Sequence, residues 1–386
     1  MRVLVVNRFY GTEHVPTGRM ASDVVRVLQR DGHEVHLLTC RDTYADTAAE
    51  APVASAGLCV HYLWVGTGWQ RVCVWLLFWL QACLCIPCMR WERCVLLTDP
   101  PFLVCVAWLV RLLYGAKRRV YWWTMDLYPE ALVANGLLRP QTLPWRLLSI
   151  LNTLGLQALA GVICLGERQR RRLAQYSTWQ ARPGFCEVIP PWDYRPLPRV
   201  ARAENRFLAQ HQWQSKKIAL YAGNLGRGHT YQDILTAARA LANCHDTHWM
   251  FVFVCRGAAR HALETESASL ANVVVLDYVP PEYTADLLWS ADVHLITMAD
   301  AWQGIVVPSK LYGLLQTDAP VLFIGPQDAD TVEQIVHYDA GAIVPNGCGA
   351  ETIIDTLTLL GDPRYSQARL LDLHGAGRIV SFITQP

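Results

Sequence analysis

Two short apolar runs near the start of the chain, one helix apart, constrain this sequence more than any other feature. Arg2 to Asn7 (RVLVVN) is almost continuously β-branched, the pattern of a parallel strand buried on both faces. A polar loop, FYGTEHVPTGR, follows it, and apolar residues at Val24, Val25 and Leu28 then predict a helix from about Met20 to Gln29. Asp31-Gly32 stops that helix, and Glu34 to Thr39 (EVHLLT) supplies the next strand. Strand, helix and strand in that order open a doubly wound α/β sheet.

The pattern continues along the chain. Further strands are predicted at Cys94–Leu97, Val120–Trp123 and Val162–Leu165, and Val188-Ile189-Pro190-Pro191 closes the first half. Asp193 to Ser215 reads as a linker with a short helix. Lys217 then starts a second strand–loop–helix unit, with its helix over Tyr231–Leu241 and strands at Trp249–Val254, Val273–Leu276, Val293–Ile296 and Pro320–Ile324. The chain of 386 residues is long enough for two such cores. The expected division is a first domain over 1–200, a second over 201–365, and a tail over 366–386 that could pack back on the first.

Composition excludes several classes. Charged residues make up 17% and apolar residues 52%, against about 25% charged in an average soluble domain, which rules out intrinsic disorder. A nucleic-acid partner is not expected, because 34 basic residues are cancelled by 33 acidic ones without a basic block. The N-terminus does not read as a signal peptide, so the 13 cysteines are expected to be free thiols. Cys83, Cys85 and Cys88 lie in an apolar stretch without a fourth ligand at zinc spacing and read as small core hydrophobes; no metal is expected.

Val72 to Met89 runs for eighteen residues without a charge, between Arg71 and Arg90, at the threshold for a membrane span. Gln81 in its middle, Pro87 near its end and the interior Trp75 and Trp79 argue against spanning, since tryptophan prefers the bilayer interface. The reading is a buried or interfacial helix, the Trp-rich helix resting on a membrane surface.

Three motifs carry chemistry. Ala222-Gly223-Asn224-Leu225-Gly226-Arg227-Gly228-His229 follows a strand and precedes a helix. Glycines there let backbone N–H groups approach an anion, and Arg227 adds a permanent charge. The spacing is not that of a dinucleotide fold, and an ordinary glycine-rich turn is the alternative. In Val306-Val307-Pro308-Ser309-Lys310-Leu311-Tyr312-Gly313, Pro at a helix start would place a hydroxyl and an ammonium in the first turn; a helix cap with a solvated lysine is the alternative. Trp122-Trp123-Thr124-Met125-Asp126-Leu127-Tyr128-Pro129-Glu130 puts two carboxylates beyond a buried strand. Asp126 is there either a base or hydroxyl holder, or simply the N-cap of the helix containing Glu130.

With Pro16-Thr17-Gly18, Gly32-His33-Glu34-Val35, Thr98-Asp99-Pro100-Pro101 and Ile189-Pro190-Pro191-Trp192 in the same order, these motifs make the chain resemble family 4 glycosyltransferases from Met1 to about Asp362. It is most similar to the branch of amino-sugar transferases of bacterial surface polysaccharides. The resemblance implies a GT-B fold, two Rossmann-like doubly wound parallel-sheet domains facing a cleft. It also implies a nucleotide-sugar donor, retention of anomeric configuration, and neither metal nor cofactor.

Carried over by position, Gly223, Asn224, Gly226 and Arg227 fall on the diphosphate loop. Ser309 and Lys310, with Tyr312 beside them, fall where the leaving phosphate is neutralised, and Tyr278 and Val279 line the nucleobase pocket. Gly11, Thr17, Gly18 and Arg19 fall on the acceptor-side loop, with Glu130 as a further acceptor contact. Asp126, Lys310 and Arg227 are the candidate catalytic residues. Developing charge on the departing diphosphate would be met by N–H dipoles and cations where a metal otherwise serves.

The chain departs from the family at two glutamate positions, which fall on about Ile305 and on Gly313, and at a histidine replaced by Met125. The expected activity is a retaining glycosyl transfer to a membrane-held, lipid-linked or glycan acceptor, at the inner face of the cytoplasmic membrane, in surface polysaccharide or glycolipid synthesis. The alternatives are a degenerate nucleotide-sugar binder or partner subunit, and a sugar-nucleotide epimerase of the same architecture.

Overall fold

The computed structural model describes residues 1–10, 15–40, 57–63, 71–176, 184–193, 195–369, 371 and 374–385. The chain divides into two compact units. One is Met1–Trp192 with Gly304–Val307 and Leu373–Pro386, and the other is Asp193–Gln303 with Pro308–Asp372. A single cut near residue 200 is therefore too simple, because the chain re-enters the first unit twice.

In chain order the first unit carries β1 (Arg2–Val6), α1 (Pro16–Arg30), β2 (Glu34–Cys40), β3 (Leu58–Leu63), α2 (Arg71–Cys88), β4 (Arg93–Leu96), α3 (Cys105–Tyr114), β5 (Arg119–Trp123), α4 (Glu130–Ala134), α5 (Leu143–Ala158), β6 (Gly161–Cys164), α6 (Glu167–Leu173) and β7 (Cys186–Val188). The second continues with α7 (Arg206–His211), β8 (Lys217–Asn224), α8 (Gln232–Asn243), β9 (Trp249–Arg256), α9 (Arg260–Ser267), β10 (Val273–Leu276), α10 (Thr284–Leu288), β11 (Val293–Thr297), α11 (Lys310–Leu314), β12 (Val321–Ile324), α12 (Asp330–His337), β13 (Gly341–Val344) and α13 (Ala350–Leu360). A last helix, α14 (Gly375–Thr384), belongs to the first unit.

Among the described residues, the first sheet has seven strands in the order β3-β2-β1-β4-β5-β6-β7. The second has six, β10-β9-β8-β11-β12-β13, and every pairing in both is parallel. Such strands are buried on both faces, which is why their sequences read as unbroken apolar runs: Val3 to Val6 and Ile218 to Tyr221 are essentially inaccessible. The strand order reverses between β1 and β4 in one sheet and between β8 and β11 in the other. At such points the loops leaving neighbouring strands diverge and open a crevice at the carboxyl ends.

Helix α14 is fixed to the first unit by contacts far apart in sequence. Phe382 meets Tyr121 edge-on with ring centroids 5.7 Å apart, and Arg93 Nε donates to the Ile383 carbonyl at 3.2 Å. Gly375 lies against Trp192, where an added Cβ would come within 2.3 Å of the indole. Trp192 in turn stacks on Trp123 at 5.5 Å and donates from Nε1 to Asp23 Oδ2 of α1 at 2.8 Å. Ile379, Val380 and Ile383 are buried, each contributing about 1.5–3 kcal/mol of transfer free energy.

Helix α2 buries one face and exposes another. Phe78, Ala82 and Ile86 point into the core, and Leu76, Leu80 and Leu84 point out. The tryptophans are not the outward face: Trp75 and Trp79 are half-buried, and Trp79 Nε1 donates to the Phe102 carbonyl at 3.3 Å. Helices α2, α3 and α5 pack side by side, and Leu112 of α3 and Leu143 and Leu147 of α5 are exposed as well. These three helices contain no Asp or Glu. No helix among the described residues is long and apolar enough to cross a membrane.

Candidate active site

The two reversal points hold most of the residues with chemical potential. In the second unit, Gly223 (φ +130°) is the last residue but one of β8 and Gly257 (φ +125°) follows β9, both in a region closed to most side chains. A Cβ at Gly257 would lie 2.5 Å from Asn224 Oδ1 and from the Leu225 carbonyl oxygen. The glycine loop is thus held tightly over the end of β9, with Leu225 N–H donating to the Arg256 carbonyl at 2.6 Å. Asn224 and Arg227 are exposed, and Gly223, Gly226 and Gly228 are half-buried.

Lys310 is brought to this loop. An added Cβ at Gly223 would sit 3.9 Å from Lys310 Cδ. Its Nζ is buried with no hydrogen-bond partner among the described residues, and it stands 3.6 Å from the centroid of the Tyr221 ring. An ammonium out of water without hydrogen bonds is costly, and burial lowers the Lys310 pKa to about 7 against a weak opposing pull from Cys255. His229 Nδ1–H donates to the Thr297 carbonyl at 2.6 Å. Burial, and then the Lys310 charge, push the His229 pKa down to about 3, so this imidazole is neutral.

The other residues expected at the donor side are dispersed. Ser309 occupies the N-cap position of α11 without a side-chain cap bond, and that helix has only five residues. Tyr312 is buried, its hydroxyl has no hydrogen-bond partner among the described residues, and its pKa is raised by burial and by Tyr338 and Asp330. Tyr278 and Val279 pack against the cluster around Phe207 and Ile218, and the Arg256 guanidinium lies 5.1 Å from the Tyr278 ring. Arg256 also pairs with Asp277 at 2.5 and 3.0 Å and holds that carboxylate down at about 2. Gly313 faces the Asp193 carboxylate: an added Cβ would lie 3.6 Å from Asp193 Oδ2.

In the first unit, Asn7 and Arg8 leave β1 beside Thr98 and Asp99 leaving β4. Arg8 is buried, pairs with Asp99 Oδ2 at 3.1 Å and lies 4.1 Å from the Phe9 ring. Thr98 Oγ1 accepts from the backbone N–H groups of Met125 and Asp126 at 3.2 and 3.3 Å. Asp126 is half-buried at the end of β5 and is not the N-cap of α4, a place taken by Pro129. Glu130 opens α4 and accepts from the Tyr176 hydroxyl at 2.7 Å.

Thr17, Gly18 and Arg19 lie in the first turn of α1, not in the loop before it, because Pro16 starts the helix earlier than the apolar spacing indicates. Gly11 lies outside the described residues. Ile305 is a core residue of the first unit, its carbonyl accepting from Leu127 N–H at 3.1 Å.

Two residues escape motif reasoning. Gln169 is fully buried on α6; its Oε1 accepts from Thr124 Oγ1 at 2.7 Å and Leu165 N–H at 2.8 Å, and its Nε2 donates to the Met125 carbonyl at 3.0 Å. Tyr221 reads as an ordinary strand residue, and only the folded chain places it under Lys310. No group of three or more His, Cys, Asp or Glu among the described residues is arranged to hold a metal ion.

Two parallel doubly wound sheets, each with a loop crevice where the strand order reverses, define a GT-B architecture. Known structures bear this out. WaaG, a glycosyltransferase involved in lipopolysaccharide biosynthesis, aligns over 100% of both chains with a TM-score of 0.69 at 14% identity. Sucrose-phosphate synthase from Thermosynechococcus elongatus aligns over 99% of this chain and 94% of its own, with a TM-score of 0.69 at 13% identity. In sequence, the chain is similar to the probable glycosyltransferase WbjE of Pseudomonas aeruginosa, 26% identical over 251 residues. That match covers 60% of this chain and 57% of the relative, so it spans little more than half of the relative's length. No protein-family model matches the chain. The chain has the GT-B fold, and the resemblance to glycosyltransferases holds in both sequence and fold.

Proposed function

We propose that this protein is a glycosyltransferase of surface-polysaccharide or glycolipid synthesis that transfers a sugar, with retention and without metal, from a nucleotide donor to a glycan or lipid-linked acceptor. The observation that carries the reading is the Lys310 ammonium, dry and without a hydrogen-bond partner at the carboxyl end of β8. A buried cation in that position is most stable when an anion joins it, and a diphosphate at the glycine loop supplies one. The stem of Lys310 runs beside Gly223, which brings this side chain to the glycine loop. As the glycosidic bond breaks, charge grows on the leaving diphosphate, where the loop's N–H groups, Arg227 and Lys310 stabilise it. Asp193, paired with Arg195 and lying beside Gly313, is a candidate carboxylate for a ribose hydroxyl. On the acceptor side, Asp126 and Glu130 are the candidate hydroxyl contacts, with Thr17, Gly18 and Arg19 near the end of β1.

The exposed leucines of α2, α3 and α5 support docking at the inner membrane surface. An apolar face without carboxylates, carrying the exposed Arg111 and Arg146, suits an anionic bilayer.

The test is incubation with a panel of nucleotide sugars, with calorimetry for binding and product identification for chemistry. Binding followed by transfer or slow hydrolysis is expected. Binding without turnover would make the protein a nucleotide-sugar binder, and an epimerised donor formed without acceptor would make it an epimerase. The same preparation should float with phosphatidylglycerol vesicles, and Leu80→Asp with Leu84→Asp should abolish flotation. Unchanged flotation would move the docking face elsewhere.

A further inference from the structure

The glycine loop and Lys310 are separate in sequence, and one side chain touches both. Tyr221 is wholly buried in β8. Its ring lies beneath Lys310 Nζ at 3.6 Å, and its hydroxyl donates to the Asn224 carbonyl at 3.0 Å. Its ring is also steadied by its neighbours: Phe253 of β9 lies 5.7 Å away and tilted, and His229 meets it edge-on at 6.0 Å. Those contacts leave the ring little freedom to turn. An ammonium with no hydrogen-bond partner is retained there by the ring's quadrupole, an interaction that strengthens when water is excluded.

We propose that Tyr221 is the positioning residue of the donor side: its ring holds the Lys310 ammonium, its hydroxyl holds the Asn224 carbonyl, and the spacing between cation and loop is set by this one side chain. This deepens the nucleotide-sugar reading and rests on it for its functional half. The aromatic ring and the hydroxyl have separable tasks. Tyr221→Phe keeps the ring and frees the loop; Tyr221→Leu removes the ring as well.

The experiment has an arm that needs no substrate. The chain has four lysines, Lys117, Lys216, Lys217 and Lys310, so a protein labelled with ε-¹³C lysine gives a spectrum simple enough to assign through Lys310→Met. The Lys310 ε-protons should be shifted upfield by the ring current in the wild type and in Tyr221→Phe, and should return to the position of an ordinary lysine in Tyr221→Leu. An ordinary position in the wild type would overturn the proposal whatever the protein binds.

The second arm measures the affinity of UDP and of inorganic pyrophosphate for Tyr221→Leu, Lys310→Met and the double variant. Each single variant should lose tenfold or more, and the double variant should lose no more than Lys310→Met alone. Multiplicative losses would show that Tyr221 does not act through Lys310 and would overturn the proposal while leaving the donor reading intact. No binding of either probe by the wild type, with the upfield shift present, would sink the donor reading and the functional half with it. Should Tyr221→Leu fail to fold, the cycle is run with Tyr221→Met, which also removes the ring. That variant should lose tenfold or more in a wild-type background and nothing further in Lys310→Met, and multiplicative losses there would equally overturn the proposal.

Discussion

The two strand-order reversals are built on one plan and finished in opposite ways. At the first, between β1 and β4, most polar groups answer one another: Arg8 has Asp99, Thr98 has two backbone N–H groups, and Gln169 bonds to Thr124, Leu165, Met125 and Ile305, while Asn7 Oδ1 has no hydrogen-bond partner among the described residues. At the second, between β8 and β11, glycines replace side chains and Lys310 is left without a hydrogen bond. Low dielectric strengthens a satisfied network and penalises an unsatisfied charge. The first crevice is thereby largely satisfied by the protein's own groups. The second keeps an unmet electrostatic demand that a ligand can satisfy.

Three measurements would break or sharpen that contrast. The largest effect is expected from Lys310→Met, which should lower turnover by about 10²–10³-fold, the scale of removing one preorganised group from a developing anion. The circular dichroism spectrum should be unchanged. Activity within fivefold of wild type would mean that the unmet charge serves no reaction.

Next in size is Gln169→Leu. It strands the partners of a buried amide and should cost about 2–4 kcal/mol of stability, read as a lowered midpoint in urea, with little change in nucleotide affinity. An equal loss of nucleotide affinity would show that the two crevices are not independent.

The smallest effect is a pH dependence. Burial lowers the Lys310 pKa to about 7, and a bound diphosphate favours the charged form. Affinity for the donor should therefore be full below that value and fall as pH rises through it, by up to about tenfold per unit. Lys310→Arg should flatten the profile, since guanidinium stays charged. A flat wild-type profile between pH 6 and 9 would place the lysine in water.

The contrast also explains what was legible in the sequence. The central strands announce themselves because burial on both faces leaves only apolar residues; Val293–Ile296 is predicted within one residue of β11. The strands β3 and β13, partly exposed edges, escape notice, although β10, an edge written Val-Val-Val-Leu, is predicted to the residue. The start of α1 is placed four residues late because Pro16 opens the helix before its apolar face begins. At the second crevice the glycines and Lys310 stand out, since their spacing along the chain is unusual. Tyr221 and Gln169 do not, because each acts on atoms that reach it only through folding.

The docking of α14 has a consequence for how the protein is made. Gly375 must reach Trp192, and Ile379, Val380 and Ile383 must cover the first unit, yet these residues leave the ribosome after the whole second unit. Vectorial synthesis normally lets the earlier domain finish first. Here that half waits, its hydrophobic flank uncovered, until the second unit has been made.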